Sequence, residues 1–543
     1  VAAPLGLSAG QLLFDPDALG ALLDGPRLLF LGRNSLLLVA GTLALCLPAG
    51  VVTAVLLYRT DLPFRRALRA LVLLTLFVPL PLFTSGWQAA VGSGGWLPLR
   101  WWNAPRPSEP AFMSGGSTWT PWGQGIGTAV WIHATAGLPW VIWLVGRGLR
   151  RVDRELEEDA LTAAGPWTVL VRVSLPRASA SVLAAALWVA LQTATEITVT
   201  DVMQVRTYAE EVYTQFVLSN QGSVARAVAV SLPMTVLVTV LMLGAVRRWE
   251  RTLPPSLTHA GPPPTFLLGR GRWPAGLFVA GMAAALAGVP VGSLVWRAGL
   301  SGAPPAWSAR VTLHYLDAAV RSSRLWQGEW HGVIGISLCA AAGAGVTAAT
   351  LALLACWSAQ GTHVFRIGVL VLAALAWAMP GPVVGLGLKA VIDRLLDWTG
   401  SGVLADALWY RASPLPVLWA DVVRFFPCAA AVLWPAVRTL PPELREAARV
   451  EGAGPFRELV AVVVPLTAGP WLLAALAAGV LALGEVSASK LVATAGGETW
   501  AHEVFTQMHY GVTNDLAARC LLLLAAVTAG GGAIVWLARG KRD

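Results

Sequence analysis

The sequence predicts an all-α polytopic membrane protein of two tandem, parallel homologous halves, with about six transmembrane helices in each and the first helix of the N-terminal half missing. Three observations predict it. The first is composition: 56% of the 543 residues are hydrophobic and only 13% are charged, with a mean hydropathy of +0.63, whereas a soluble domain carries about 25% charged residues. The second is a series of apolar runs near the roughly 20 residues that a helix needs to cross a hydrocarbon core. The third is a repeat that carries loop residues as well as helix residues from one half to the other.

The apolar runs of the first half lie near Ser35 to Tyr58, Ala70 to Gly92, Ile126 to Val145, Ala178 to Thr195 and Ala227 to Val246. Those of the second lie near Ala275 to Trp296, Gly332 to Trp357, Ile367 to Leu388, Pro416 to Val437, Gly469 to Leu483 and Cys520 to Ala538. In lipid the backbone must satisfy its own polar groups, so each run reads as a helix. The alternation expected of barrel strands is absent.

Arginine sets the expected orientation. Arg59, Arg65, Arg66 and Arg69 share one connection, Arg147, Arg150, Arg151 and Arg154 a second, and Arg247, Arg248 and Arg251 a third, while Lys541 and Arg542 close the chain. The positive-inside rule places all of these in the cytoplasm and leaves the Trp-rich stretch Ser93 to Gly123 and the stretch Arg297 to His331 outside. Topology thus accounts for the net charge of +9, and no nucleic-acid partner is expected. Cys46, Cys339, Cys356, Cys428 and Cys520 fall in or beside apolar runs and read as packing residues, not disulfides.

The repeat fixes the domain plan. Pro139, Arg150 and Glu155 recur as Pro427, Arg438 and Glu443, 288 positions on (443−155). Gly165, Pro176 and Glu196 recur as Gly454, Pro465 and Glu485, 289 on (485−196), so one residue is lost from the first copy between Glu158 and Gly165. The expected plan is an extracytoplasmic segment 1–33, a first half 34–248, a cytoplasmic linker 249–273 and a second half 274–543. Five runs against six are expected to reflect either a preceding helix omitted from the sequence, the favoured reading, or a mature chain that begins outside. Pro79 and Pro81 recur as Pro380 and Pro382 (382−81 is 301) and are expected to kink the third helix of each full half.

Between spans, each half carries a polar elbow. In the second copy Pro441, Pro442 and Glu443 open a helix, Glu446 to Val450 continue it, and Gly452 and Gly454 stop it by left-handed geometry open to glycine. A second short helix, Phe456 to Val464, leads to Pro465. One such elbow alone reads as an interfacial amphipathic bend; two at equivalent positions point to a partner bound twice.

The run Glu446-Ala447-Ala448-Arg449-Val450-Glu451-Gly452-Ala453-Gly454, followed by Pro465, resembles the EAA loop of permease subunits of binding-protein-dependent ABC importers. With Glu196-Ile197-Thr198 and Tyr208 to Phe216, the chain resembles most the fused, double-length permeases of ferric-iron uptake. The resemblance implies a type I ABC importer permease fold in the bacterial cytoplasmic (inner) membrane. It also implies two ATPase subunits docked on loops containing Glu443, Glu446, Ala447, Ala448, Gly452, Ala453, Gly454 and Pro465, and Glu155, Glu158, Ala160, Gly165 and Pro176. An extracytoplasmic substrate-binding protein would deliver ferric iron or another small ligand. The first loop departs from the pattern, with Asp159 for the first alanine and Ala163 or Ala164 for the glycine. The sequence contains no GxxxxGK[ST] motif, so ATP and Mg are expected on the partner subunits, with no cofactor bound by this chain.

Charged groups at membrane depth usually face a cavity or a partner. Glu196 and Glu485, with Asp201 and Lys490 nearby, are expected to line the path or to hold the bundle. Asp421 and Arg424, three apart on one helix, are expected to pair with each other. His502 and His509 are too far apart to suggest metal ligands, and no catalytic cluster is visible. A secondary transporter is the alternative, and a multi-pass membrane enzyme a more distant one.

Overall fold

The computed structural model describes residues 2–6, 10, 25–91, 125–218, 224–252, 264–302, 305–322 and 332–539. The Trp-rich stretch 93–123, residues 11–24 of the N-terminal segment, residues 253–263 of the expected linker, residues 323–331, and Lys541 and Arg542 lie outside the described residues.

The first half contains α1 (Gly25–Arg59), α2 (Arg65–Thr75), α3 (Leu80–Val91), α4 (Ile126–Leu149), α5 (Arg154–Ala163), α6 (Pro166–Arg177), α7 (Ser179–Thr195), α8 (Thr198–Val202), α9 (Tyr208–Leu218) and α10 (Val224–Thr252). Then follow α11 (Gly269–Gly299), α12 (Ala309–Ser322), α13 (Val333–Ser358), α14 (His363–Ala378), α15 (Gly381–Thr399), α16 (Leu415–Arg438), α17 (Pro442–Val450), α18 (Pro455–Ala482), α19 (Trp500–Met508) and α20 (Asn514–Arg539). Among the described residues, seven helices are long and apolar enough to cross a membrane, or ten if each of three bent pairs is one span; Val228–Leu241 within α10 is a shorter apolar stretch. Leu36, Leu237, Leu277, Leu351 and Trp536 stand exposed on the outside of the bundle, as side chains facing lipid do. The described helices are those of an all-α, multi-pass membrane protein.

Two expected spans are corrected. The runs Ala70 to Gly92 and Ile367 to Leu388 are not kinked single helices but pairs broken by 106° between α2 and α3 and by 112° between α14 and α15. Pro79 and Pro380 stand at the breaks. Without an N–H, and with a ring that crowds the preceding turn, neither can continue the first arm. The second arms turn inward: in α3 the side chains from Pro81 to Trp87 are buried, and in α15 those from Gly381 to Leu388 are. The expected span Gly469 to Leu483 is also longer, because the elbow's second helix runs into it without interruption as α18. In the first half the equivalent helix bends by 60° between α6 and α7.

The halves embrace reciprocally. Helix α10 packs on α14 as α20 packs on α2, and α9 packs on α15 as α3 packs on α19. Small residues let helices approach within the second half: a Cβ on Gly345 of α13 would lie 2.3 Å from the Ala475 carbonyl oxygen of α18. Such close approach is how helices associate where lipid removes the hydrophobic drive. Cys46, Cys356 and Cys520 are buried and all five cysteines are free.

Candidate functional site

The second elbow is built around one left-handed residue. The amide of Gly452 donates to Arg449 O at 3.0 Å and that of Ala453 to Ala448 O at 2.9 Å, a Schellman termination with Gly452 at φ +79°. Gly454 departs from expectation: at φ −69° and ψ 170° it is extended, the N-cap of α18, a conformation open to any residue. Glu443, Glu446 and Ala447 are exposed and Ala448 is half-buried. Leu444, Val450 and Phe456 are exposed as well, Val450 at 89%. From below, Glu458 receives Arg445 Nε at 2.6 Å and Arg449 Nε at 2.9 Å, fastening the two helices of the elbow to each other.

The first elbow stops differently. Helix α5 is capped by Asp153, whose Oδ1 accepts the Glu155 amide at 3.1 Å, and it ends at Ala163. Ala164 is extended at φ −143°, and Gly165, also extended at φ −67°, caps α6. No left-handed residue is used, which is where the one-residue deletion falls. Glu155, Glu158 and Gly165 are exposed and Ala160 is half-buried; Glu158 pairs with Arg154 at 2.6 Å. The anchor is Glu157, which sequence reasoning passed over. It is fully buried, accepts Arg59 Nη2 at 2.6 Å and Ser174 Oγ at 2.5 Å, and Arg59 Nη1 also donates to Leu149 O at 2.8 Å. The signal was present in the repeat: the position of Glu157 is held by Arg445 in the second copy (445−157 is 288), an inversion of charge that requires different partners.

Both elbows leave through a wide π-turn, Leu170–Ser174 and Leu459–Val463, 289 apart (459−170). Pro176 and Pro465, both exposed, follow two residues behind each. A proline ring crowds the carbonyl four residues back, and a widened turn relieves it.

Glu196 and Glu485 share one geometry. Glu196 takes the amides of Thr198 at 2.6 Å and Val199 at 3.0 Å on its two carboxylate oxygens. Glu485 takes those of Ala488 at 2.8 Å and Ser489 at 2.9 Å. Each therefore caps the short helix that follows a long span, engaging both of its oxygens. Between the halves lies Arg424, within electrostatic reach of both glutamates. The expected Asp421–Arg424 pair is not formed. Arg424 Nη1 instead donates to the Met379 carbonyl at 3.0 Å, supplying a donor at the end of α14 where the break leaves carbonyls open, and Asp421 Oδ1 has no hydrogen-bond partner among the described residues.

Asp201 and Lys490, from opposite halves, lie within electrostatic reach of each other but bond to other residues. Asp201 Oδ2 lies 3.1 Å from His509 Nε2, and Lys490 donates to Thr506 Oγ1 at 3.0 Å over the ring of Phe505. His502 is structural: Ser489 Oγ lies 2.7 Å from its Nε2, and its Nδ1 accepts the Thr499 amide in a capping box. Among the described residues, no group of three or more His, Cys, Asp or Glu is placed to hold a metal ion.

An aromatic seam closes the interface between the halves. Trp140 and Trp188 pack at 4.7 Å with their planes tilted by 44°, and Trp188 meets Trp377 of the other half edge-on at 5.2 Å. Beside them, Trp188, Gln192, Trp377 and Arg424 line a cavity of about 40 Å³.

Residues 351–538 match the family described as binding-protein-dependent transport system inner membrane component. The chain is also similar to the diacetylchitobiose uptake system permease protein DasB of Streptomyces coelicolor. The two are 27% identical over 190 residues, covering 31% of this chain. The match spans about half, 56%, of the length of that relative.

Proposed function

We propose that this chain, which matches the binding-protein-dependent transport system inner membrane component family over residues 351–538, is a permease that forms the translocation path of an ATP-driven importer and transmits ATPase closure through its two elbows. The observation that carries this reading is the position of the second elbow, α17 to α18, inside the matched domain, with the first elbow 288 residues earlier. Two ATPase subunits, which bind ATP and Mg, dock on the elbows from the cytoplasm, and Val450 and Phe456 offer apolar surface for that contact. A binding protein delivers the ligand on the other side. Contact between the ATPases draws the elbows together and opens the seam between the halves.

For the ligand, ferric iron follows from the resemblance to iron-uptake permeases. A small carbohydrate is the second reading, favoured by the cluster of Trp140, Trp188 and Trp377 beside Gln192 and Arg424, since indole faces suit sugar rings, and in keeping with the diacetylchitobiose system named for the relative. The test is reconstitution of the full chain in vesicles with its ATPase and binding protein. Accumulation that requires ATP inside and the binding protein outside supports the importer; uptake driven by an ion gradient without ATPase overturns it. Competition between chelated iron and chito-oligosaccharides in the same vesicles separates the ligands.

A further inference from the structure

The two elbows are fastened to the bundle by different wiring, and the segment joining the halves is part of one of them. Residues just before α11 lie along the end of α1. Thr60 and Phe266 form a parallel bridge; the Phe266 amide donates to Arg59 O at 2.7 Å, and the Asp61 amide to Phe266 O at 3.3 Å. The Leu268 amide donates to Asp61 Oδ1 at 2.8 Å. The Phe266 ring, 3% exposed, stacks on the Arg59 guanidinium at 5.2 Å, and Arg59 holds Glu157 of the first elbow. The second elbow is wired differently among the described residues: Glu458 ties Arg445 and Arg449 within the elbow itself.

We propose that residues 265–268 are a strap that positions the first elbow for its ATPase subunit through Phe266, Arg59 and Glu157. The proposal rests on the reading of the elbows as docking loops. The first elbow lacks the left-handed glycine and the double arginine clasp that shape the second, and the strap supplies the missing rigidity from outside. A guanidinium with one face covered by a ring and two nitrogens bonded has little freedom, so the carboxylate that it holds fixes the inner face of α5. The linker thereby becomes part of the docking machinery of the half that precedes it. The partner sites on the two elbows are consequently not equivalent.

The test uses the full chain in nanodiscs with and without the ATPase subunit. Phe266→Ala removes the ring and leaves the backbone bridge. Amide exchange over 155–163 should rise about tenfold or more while 443–451 stays protected, because local opening is governed by local contacts. ATPase titration should split into one unchanged site and one roughly tenfold weaker, the cost of ordering an unfixed surface. Glu458→Gln should reverse the pattern, loosening 443–451 alone. Exchange over 155–163 unchanged by Phe266→Ala overturns the strap, as does loosening spread equally over both elbows and the spans. If the wild-type chain binds no ATPase, the docking reading fails, and the exchange arm still decides whether the strap holds the elbow.

Discussion

His509 Nε2 stands 3.1 Å from Asp201 Oδ2, and the two residues belong to opposite halves of the chain. Both side chains are partly exposed, and Lys490 is the further charge acting on the imidazole. The hydrogen bond to Asp201 raises the His509 pKa above its ordinary 6.5, with burial and Lys490 opposing. The sign follows: the contact contributes fully below pH 6.5 and is lost as pH rises through the raised value. If the halves part at this end during transport, acid on that side should slow opening. At such exposure the pair is worth at most about 1 kcal/mol, or roughly fivefold in rate. The expected outcome is ligand-stimulated ATPase activity that increases between pH 6 and 8 (about the window in which histidine titrates), with the increase abolished by Asp201→Asn.

Glu196 and Glu485 are expected to act through assembly. Glutamine keeps one acceptor oxygen and sets an NH₂ against a backbone amide, so each Glu→Gln substitution should cost about 1–2 kcal/mol, as loss of a cap does. Thermal unfolding of the purified double variant should fall in midpoint, with reduced yield of monodisperse protein. A double variant that assembles and melts normally but transports poorly would place the pair in the path.

Gly452→Asp places a side chain at φ +79° and should cost about 1–2 kcal/mol in the turn. It also adds a charge to an exposed surface. Bound ATPase and coupled transport should fall while membrane insertion is unchanged. Ala164→Asp, at an extended residue, and Ala163→Asp, at the end of α5, should act by charge alone, so raised salt should rescue them and not Gly452→Asp. Equal rescue of all three would remove the backbone from the explanation.

Gly345→Val should block the approach of α13 and α18, since even a Cβ would lie 2.3 Å from the Ala475 oxygen. A loss of roughly 1–3 kcal/mol is expected for overpacking, read as a lower midpoint in detergent. Gly281→Val, at a glycine with nothing within 4 Å of an added Cβ, is the control and should melt like the wild type.

What the sequence made legible was periodic or repeated. Apolar runs place the helices, and the recurrence of Glu155 with Glu443 and of Pro176 with Pro465 marks the two elbows, down to the left-handed turn at Gly452. Directions in space were less accessible. Proline announces an interruption at Pro79 and Pro380, yet whether the second arm continues across the membrane or folds back depends on neighbours from the other half, α19 for α3 and α9 for α15. Partners far apart in the chain were invisible for the same reason. Nothing local to Arg59 singles it out from Arg65 or Arg66 as the one that meets Glu157, and Asp421 and Arg424 have correct helical spacing yet the arginine turns to Met379.

The wide turns at Leu170–Ser174 and Leu459–Val463 bear on how such a chain is read. Each holds one residue more than an α-helical turn of similar rise, so side chains beyond it are rotated by about 100° from where a 3.6-residue count would put them. In the second half the elbow and the span above it are one continuous rod with two unsynchronised faces. A stripe traced from Phe456 upward loses its phase before Thr467, and the surface turned toward lipid must be assigned afresh on the far side of the turn.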